Sequence, residues 1–194
     1  MADQKKKIRN DVSKALRGLT ETEIIEKSKL ISGRVKQLRV FKEAKNIVFY
    51  YSKYPEVSTH EFIKDSLDNG KTVFLPKIVE NSKCFNVCSV SNCDTDLCVG
   101  KWGISEPKDK GSDIQALKII DLIIVPGIAF DEYGNRIGRG QGYYDKVLSK
   151  LNNAPKVALA FDLQVRNIIP VDEHDIQVDY IITESRIIRS LKRR

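Results

Sequence analysis

Three glycines in five residues, Gly138, Gly140 and Gly142, stand with Arg136 and Arg139 between an apolar run and a helix-like segment in "VPGIAFDEYGNRIGRGQGYYDKVL". Bare backbone and positive charge at one corner suit a phosphate. Glycine lets its oxygens approach the amide groups, and arginine adds charge-assisted hydrogen bonds. The spacing matches neither common phosphate loop: G-x-x-x-x-G-K-[ST] is absent, and Tyr143 fills the last glycine position of G-x-G-x-x-G. A glycine-rich turn with its arginines in water has the same composition, so spacing alone leaves that alternative open.

Other chemistries are narrowed by what the chain carries. His60 and His174 are its two histidines, which excludes a three-histidine metal site and disfavours a Ser-His or Cys-His nucleophile. Cys84, Cys88, Cys93 and Cys98 lack C-x-x-C spacing and have no histidine nearby, so they read as reduced structural thiols, with Cys84 and Cys88 on one strand face. The net charge of +7 favours a polyanionic partner such as a nucleic acid, a nucleotide or an acidic metabolite. The basic ends, "KKKIR" and "RIIRSLKRR", read as solvated faces, and the aromatics are not interleaved with them, so nucleic acid is not the expected partner. The apolar runs are shorter than a membrane span, and "MADQKKKIRN" is not followed by the apolar stretch of a signal peptide. The expectation is a cytoplasmic, monomeric protein whose 194 residues form one domain, 1–194.

The elements that must position the glycine segment follow from periodicity. A Thr20-x-x-Glu23 capping box starts a long amphipathic helix, with Ile24, Ile31, Val35 and Leu38 at helical spacing. "NIVFYYS", residues 46–52, reads as a strand, and Ser58-x-x-Glu61 as a second capping box opening a helix that ends near Gly70. "KTVFLPKI", "CFNVCSV", "IIDLIIVPG", "KVALAF" and "DYIIT" read as strands, with "YYDKVLSKL" as a helix. Solid apolar strands separated by helices imply a mainly parallel sheet covered on both faces: a three-layer α/β/α sandwich of Rossmann-like topology. In such sheets ligands bind beyond the carboxyl ends of the strands, where the glycine segment falls.

The segment "VPGIAFDEYGNRIGRGQGYYD" resembles the signature of 5-formyltetrahydrofolate cyclo-ligases. "KKKIR", "YYSKYPEVST", "GKTVFLP", "WGISEP" and "FDLQ…IIPVDEHDIQVDYIIT" follow in the same order as in that family, so the resemblance spans nearly the whole chain. It implies an α/β enzyme akin to the sugar-phosphate isomerase and CoA-transferase group, coupling ATP hydrolysis to closure of the formyl group of 5-formyltetrahydrofolate into the methenyl bridge. ATP would be bound by Lys5, Lys6, Lys7, Ile8 and Arg9, and by Arg136, Ile137, Gly138, Arg139, Gly140, Gln141, Gly142, Tyr143 and Tyr144. Lys5 and Arg139 would serve catalysis. Lys5 and Arg9, four apart, share one face of the first helix. Asp145 and Asp175 match the family's Mg²⁺ ligands, and two aspartates beside a triphosphate suffice for that ion. The folate would contact Tyr51, Glu56, Trp102 and residues 139–143, with Glu56 accepting from the amino-amide edge of the pterin. Gln141 departs from the glycine or basic residue frequent at its position. An isomerase or CoA-transferase on a similar sheet would need no ATP, and a nucleic-acid binder would show salt-sensitive RNA binding.

Overall fold

A computed structural model describes residues 1–79, 85–100, 103, 105–108, 114–151 and 153–191. Its main sheet has seven strands: β1 (Asn46–Val48), β2 (Thr72–Ile78), β3 (Phe85–Val90), β6 (Leu122–Val125), β9 (Lys156–Leu159), β11 (Tyr180–Ile182) and β12 (Ile187–Arg189). They lie in the order β12-β11-β9-β6-β1-β2-β3. The five central strands are parallel, and an antiparallel strand closes each edge.

Alternation along the strands explains the layers. Ile47, Val73, Leu75, Ile124, Val157 and Leu159 belong to one core, under the helices α1 (Ala2–Leu16), α2 (Glu21–Gln37) and α4 (His60–Asp68). Their strand neighbours Val48, Phe74, Ile123, Val125 and Ala158 belong to the opposite core, with Val147 and Leu148 of α6 (Tyr143–Leu148). Every residue of β6 and β9 is buried, as a sheet covered on both faces requires. The chain is therefore the expected mixed α/β fold, a large and mostly parallel sheet flanked by helices.

Local expectations fare unevenly. The Thr20 capping box is present: Glu23 N–H donates to Thr20 Oγ1 at 3.2 Å, and Thr20 N–H donates to Glu23 Oε2 at 2.8 Å. The second box is not. Thr59, not Ser58, precedes α4, and its side chain makes no cap. Thr59 Oγ1 donates to the Tyr50 carbonyl at 2.7 Å and accepts from Ser52 N–H at 3.1 Å, bonds that also end β1 short of residue 52. "CFNVCSV" pairs antiparallel to β2, and "DYIIT" is followed by a further strand, β12. Cys88 is buried in β3, whereas Cys84 lies outside the described residues.

Two smaller sheets escape the periodicity: the pair β4 (Leu97–Val99) and β5 (Ser105–Pro107), and a three-stranded sheet of β10 (Val165–Arg166), β7 (Ala129–Asp131) and β8 (Arg136–Ile137). A short α3 (Arg39–Glu43) and a one-turn α5 (Cys93–Asp96) complete the α-helices among the described residues, beside 3₁₀ turns at Ile114–Ile119 and Asp162–Gln164.

Candidate functional site

The strand order sets the site. From β1 the chain moves one way to β2, then returns to the other side of β1 for β6, β9 and β11, so the order reverses between β1 and β6. Helical crossovers diverge at such a point and leave a crevice beyond the carboxyl ends of the strands. A cleft of about 680 Å³ occupies it, lined by Tyr50 and Tyr51 after β1 and by Pro126, Gly127 and Ile128 after β6. Gln164 fixes its floor by donating to the carbonyls of Gly127 and Ile128 at 2.8 and 3.1 Å.

The glycine segment enters this cleft from the β7–β8 hairpin. The fully buried Asp131 organises that turn, accepting from the N–H groups of Tyr133, Asn135 and Ile169 and from the Asn135 amide. β8 thereby carries Arg136 inward until its side chain is 3 % exposed and 2.6 Å from Asp145 Oδ1. Gly138 makes room for it, because a Cβ there would stand 2.8 Å from Arg136 Nη1. Gly140 and Gly142 have φ of +89° and +72°, which side-chain-bearing residues rarely adopt. The helix that follows is six residues long, shorter than "YYDKVLSKL" suggests. After Leu148 the N–H groups of Lys150 and Leu151 bond three residues back and tighten the chain out of the helix. So few aligned peptides carry little dipole, and any anion affinity rests on the loop amides and the arginines.

Helix α1 supplies the opposite wall. Val12 and Leu16 are its buried apolar residues, and Lys5 and Arg9 continue the same stripe toward its amino end. Lys5 Nζ donates to Asp172 at 2.7 Å and to Asp175 at 2.5 Å, and Arg9 Nε donates to the Gly138 carbonyl at 2.8 Å. Asp175 Oδ2 also accepts from Asp172 N–H at 2.8 Å. Asp145 Oδ1 accepts from Ile176 N–H at 3.4 Å, which sets Asp145 beside the loop that carries Asp175.

On the side after β1, Glu56 bridges two elements. Its Oε2 accepts from Lys53 N–H at 3.0 Å and its Oε1 from Arg139 Nη2 at 2.7 Å. Tyr51 stacks on His60 with ring centroids 4.2 Å apart, and Tyr144 leans on Phe85 at 5.0 Å.

The family model of 5-formyltetrahydrofolate cyclo-ligases matches residues 1–184. The chain belongs to this family. It is 33% identical over 189 residues to the 5-formyltetrahydrofolate cyclo-ligase of Mus musculus, covering 93% of each chain. It is 32% identical over 205 residues to a probable 5-formyltetrahydrofolate cyclo-ligase of Schizosaccharomyces pombe, covering 98% of this chain and all of the other. The NMR structure of Aquifex aeolicus 5,10-methenyltetrahydrofolate synthetase superposes with a TM-score of 0.84 at 31% identity, over 98% of this chain and 94% of that one.

Within this cyclo-ligase, most of the residues that the resemblance singles out line one cleft. Lys5, Arg9, Tyr51, Glu56, Asp145 and Asp175 do so, as does the whole run from Arg136 to Tyr144. Lys6 and Lys7 are exposed and Ile8 packs on the core, so none of the three lines it. Trp102 falls outside the described residues. Asp172, Tyr50, Gln164 and Glu106 line the cleft without having been read from the sequence.

The electrostatics are those of a charged, partly dry cleft. Burial pulls the Lys5 ammonium down, but its bonds to Asp172 and Asp175 outweigh this and the net shift is upward. The same contact holds the Asp172 carboxyl below its usual range. Burial, then the Glu56 charge, push the Tyr144 phenol up against the opposing pull of Arg136, so it stays a hydrogen-bond donor. Among the described residues no helix is long and apolar enough to cross a membrane.

Proposed function

We propose that the chain acts as a monomer in the cytoplasm and converts 5-formyltetrahydrofolate to 5,10-methenyltetrahydrofolate, with ATP hydrolysed to ADP and phosphate. The observation that carries this reading is one cleft holding both a glycine-arginine loop and an aromatic wall with carboxylates. The formyl oxygen is a poor leaving group. Phosphorylation converts it to a good one, which N10 of the folate expels by attacking the formyl carbon. Phosphoryl transfer of this kind needs charge stabilisation and alignment more than a protein nucleophile, in keeping with a cleft rich in cations and without histidine.

Arg136, Arg139, Lys5 and Arg9 surround the loop and would share the phosphate charge, with Arg139 and Lys5 closest to the transfer. Asp145 and Asp175 are hard oxygen donors on adjoining segments of the cleft, each neutralised by a cation of the chain, and this set fits Mg²⁺. Bound there, the ion would neutralise phosphate oxygens. Lys5, released from the carboxylates, would turn its ammonium toward the phosphates. Arg139 would exchange Glu56 for a phosphate oxygen, leaving Glu56 Oε1 to accept from the pterin edge. Tyr51 would form part of the ring wall, to which the resemblance adds Trp102.

The test is the rise of methenyl-folate absorbance from 5-formyltetrahydrofolate with ATP and Mg²⁺ supplied together or singly. Product that forms only with both supports the reading. No product, or product independent of ATP, overturns it.

A further inference from the structure

The wall of the cleft built by β2, β3 and β5 holds a carboxylate with one oxygen unpartnered among the described residues. Glu106 is 7% exposed and lines the cleft beside Pro76, Ile78 and Phe85. Its Oε2 accepts from Ile78 N–H at a long 3.3 Å, while Oε1 is fully buried and has no hydrogen-bond partner among the described residues. The fold makes room for it: a Cβ on Gly100 would lie 2.5 Å from the Glu106 carboxyl carbon. A carboxylate oxygen out of water and without a donor is destabilising by several times a normal hydrogen bond, so its donor is to be sought beyond the described residues, and a ligand in the cleft can supply it. Glu56 offers no such opening, since both of its oxygens are already engaged.

We propose that Glu106 is a folate-binding residue whose carboxylate, with Oε1 turned from its buried position into the cleft, accepts an N–H of the reduced pterin ring. The assignment rests on the functional reading above. A tetrahydropterin carries more N–H donors than one carboxylate can serve: the amide N–H and one amino hydrogen on one edge, and the second amino hydrogen and the N8–H on another. Glu56 takes the first edge once Arg139 leaves it. Glu106 takes a donor of the second, and Pro76, Ile78 and Phe85 keep water from competing for it.

Glutamine at this position keeps the size but cannot serve both partners. If its carbonyl accepts from Ile78 N–H, its amino group meets the ring donor, and the reverse placement sets a donor against Ile78. Calorimetric titration of Glu106→Gln with 5-formyltetrahydrofolate, in the absence of ATP, should show affinity reduced by roughly ten- to a hundredfold. Affinity for a non-hydrolysable ATP analogue should stay within twofold. Because the unpartnered oxygen destabilises the ligand-free protein, the ligand-free Tm of the variant should equal or exceed that of wild type, an outcome that a purely structural role would reverse. A folate affinity within twofold of wild type, or equal losses for folate and nucleotide, overturns the assignment while wild-type turnover leaves the functional reading standing. A wild-type protein that neither binds nor turns over the folate overturns the functional reading, and this assignment with it.

Discussion

Asp145 has two tasks that asparagine separates. In the ligand-free chain it is the one hydrogen-bond acceptor that the Arg136 guanidinium has among the described residues, at 2.6 Å, and Arg136 Nε is buried without a partner. Asp145→Asn therefore leaves a guanidinium with 3 % exposure facing a neutral amide. Removing one member of a fully buried pair costs about 3–5 kcal/mol. Asp145 is itself 26% exposed, so water recovers part of this and about 2 kcal/mol is the fair expectation. For a chain of this length that lowers Tm by about 4–8 °C. Asp175→Asn is the control, because Lys5 keeps Asp172 at 2.7 Å and no buried cation is stranded, so Tm should fall by less than half as much. Both variants should raise the Mg²⁺ concentration for half-maximal activity, since each removes a charge from the proposed hard-cation site. Thermal melts without ligands and Mg²⁺ titrations of turnover measure the two effects independently. Equal losses of Tm would refute the burial argument, and an unchanged titration in both variants would make the two carboxylates structural.

Other perturbations probe the remaining walls. Gly140→Val should abolish most turnover with only a modest loss of Tm, because a Cβ meets Arg9 at no closer than 3.5 Å while a β-branched residue at φ +89° costs about 1–3 kcal/mol of strain; near-normal kcat/KM would refute the cradle. Lys5→Met should flatten acid sensitivity. The Asp172 carboxyl is held low by Lys5, so the stability that this contact contributes is present above the ordinary carboxylate range, near pH 4, and is lost as pH falls through the depressed value. Melts between pH 3 and 7 should show the variant less stable than wild type near neutrality, with the gap narrowing as pH falls below about 4, and superimposable profiles would refute the pairing. Glu56→Gln should raise KM for the folate at least about tenfold with little change for ATP or Tm, since its partner Arg139 is 63% exposed and the pair adds little to stability; a rise for ATP alone would reassign Glu56 to the nucleotide.

The parts of this fold that the sequence makes legible are those with one dominant cause. A run such as Leu122–Val125 is apolar throughout because both faces of its strand are covered, and it reads as a central strand without further help. The edges carry no such signal. Ile187–Arg189 shows one buried residue between two exposed ones, a pattern shared with many loops. Ser58 and Thr59 are equally good caps by type, and hydrogen bonds to Tyr50 and Ser52, residues 9 and 7 positions away, take Thr59 out of that role. In the site, the glycine and arginine spacing suits a phosphate or a solvated turn equally by composition, whereas Lys5 and Arg9 look like surface charges unless the stripe from Val12 and Leu16 is followed back toward the amino end. Asp172 reads as a loop carboxylate, and nothing about "WGISEP" marks Glu106 as buried, since both owe their places to contacts made far along the chain.

The docking of α1 separates survival of the fold from survival of the site. Lys5 and Asp175 are 170 residues apart, and Arg9 and the Gly138 carbonyl are 129 apart. During folding these are closures of almost the whole chain, formed after the sheet that brings their ends together exists. In the finished protein the amino half of this helix is held by the two cations Lys5 and Arg9 and by Ile8 against the core, while Val12 and Leu16 bury its other half. Transient fraying of the amino half of α1 should then be among the less costly openings of the molecule, leaving Val12 and Leu16 in the core but the Lys5–Arg9 side of the cleft unwalled. A protease that clips residues within α1 would leave behind a protein that melts cooperatively and no longer closes a folate.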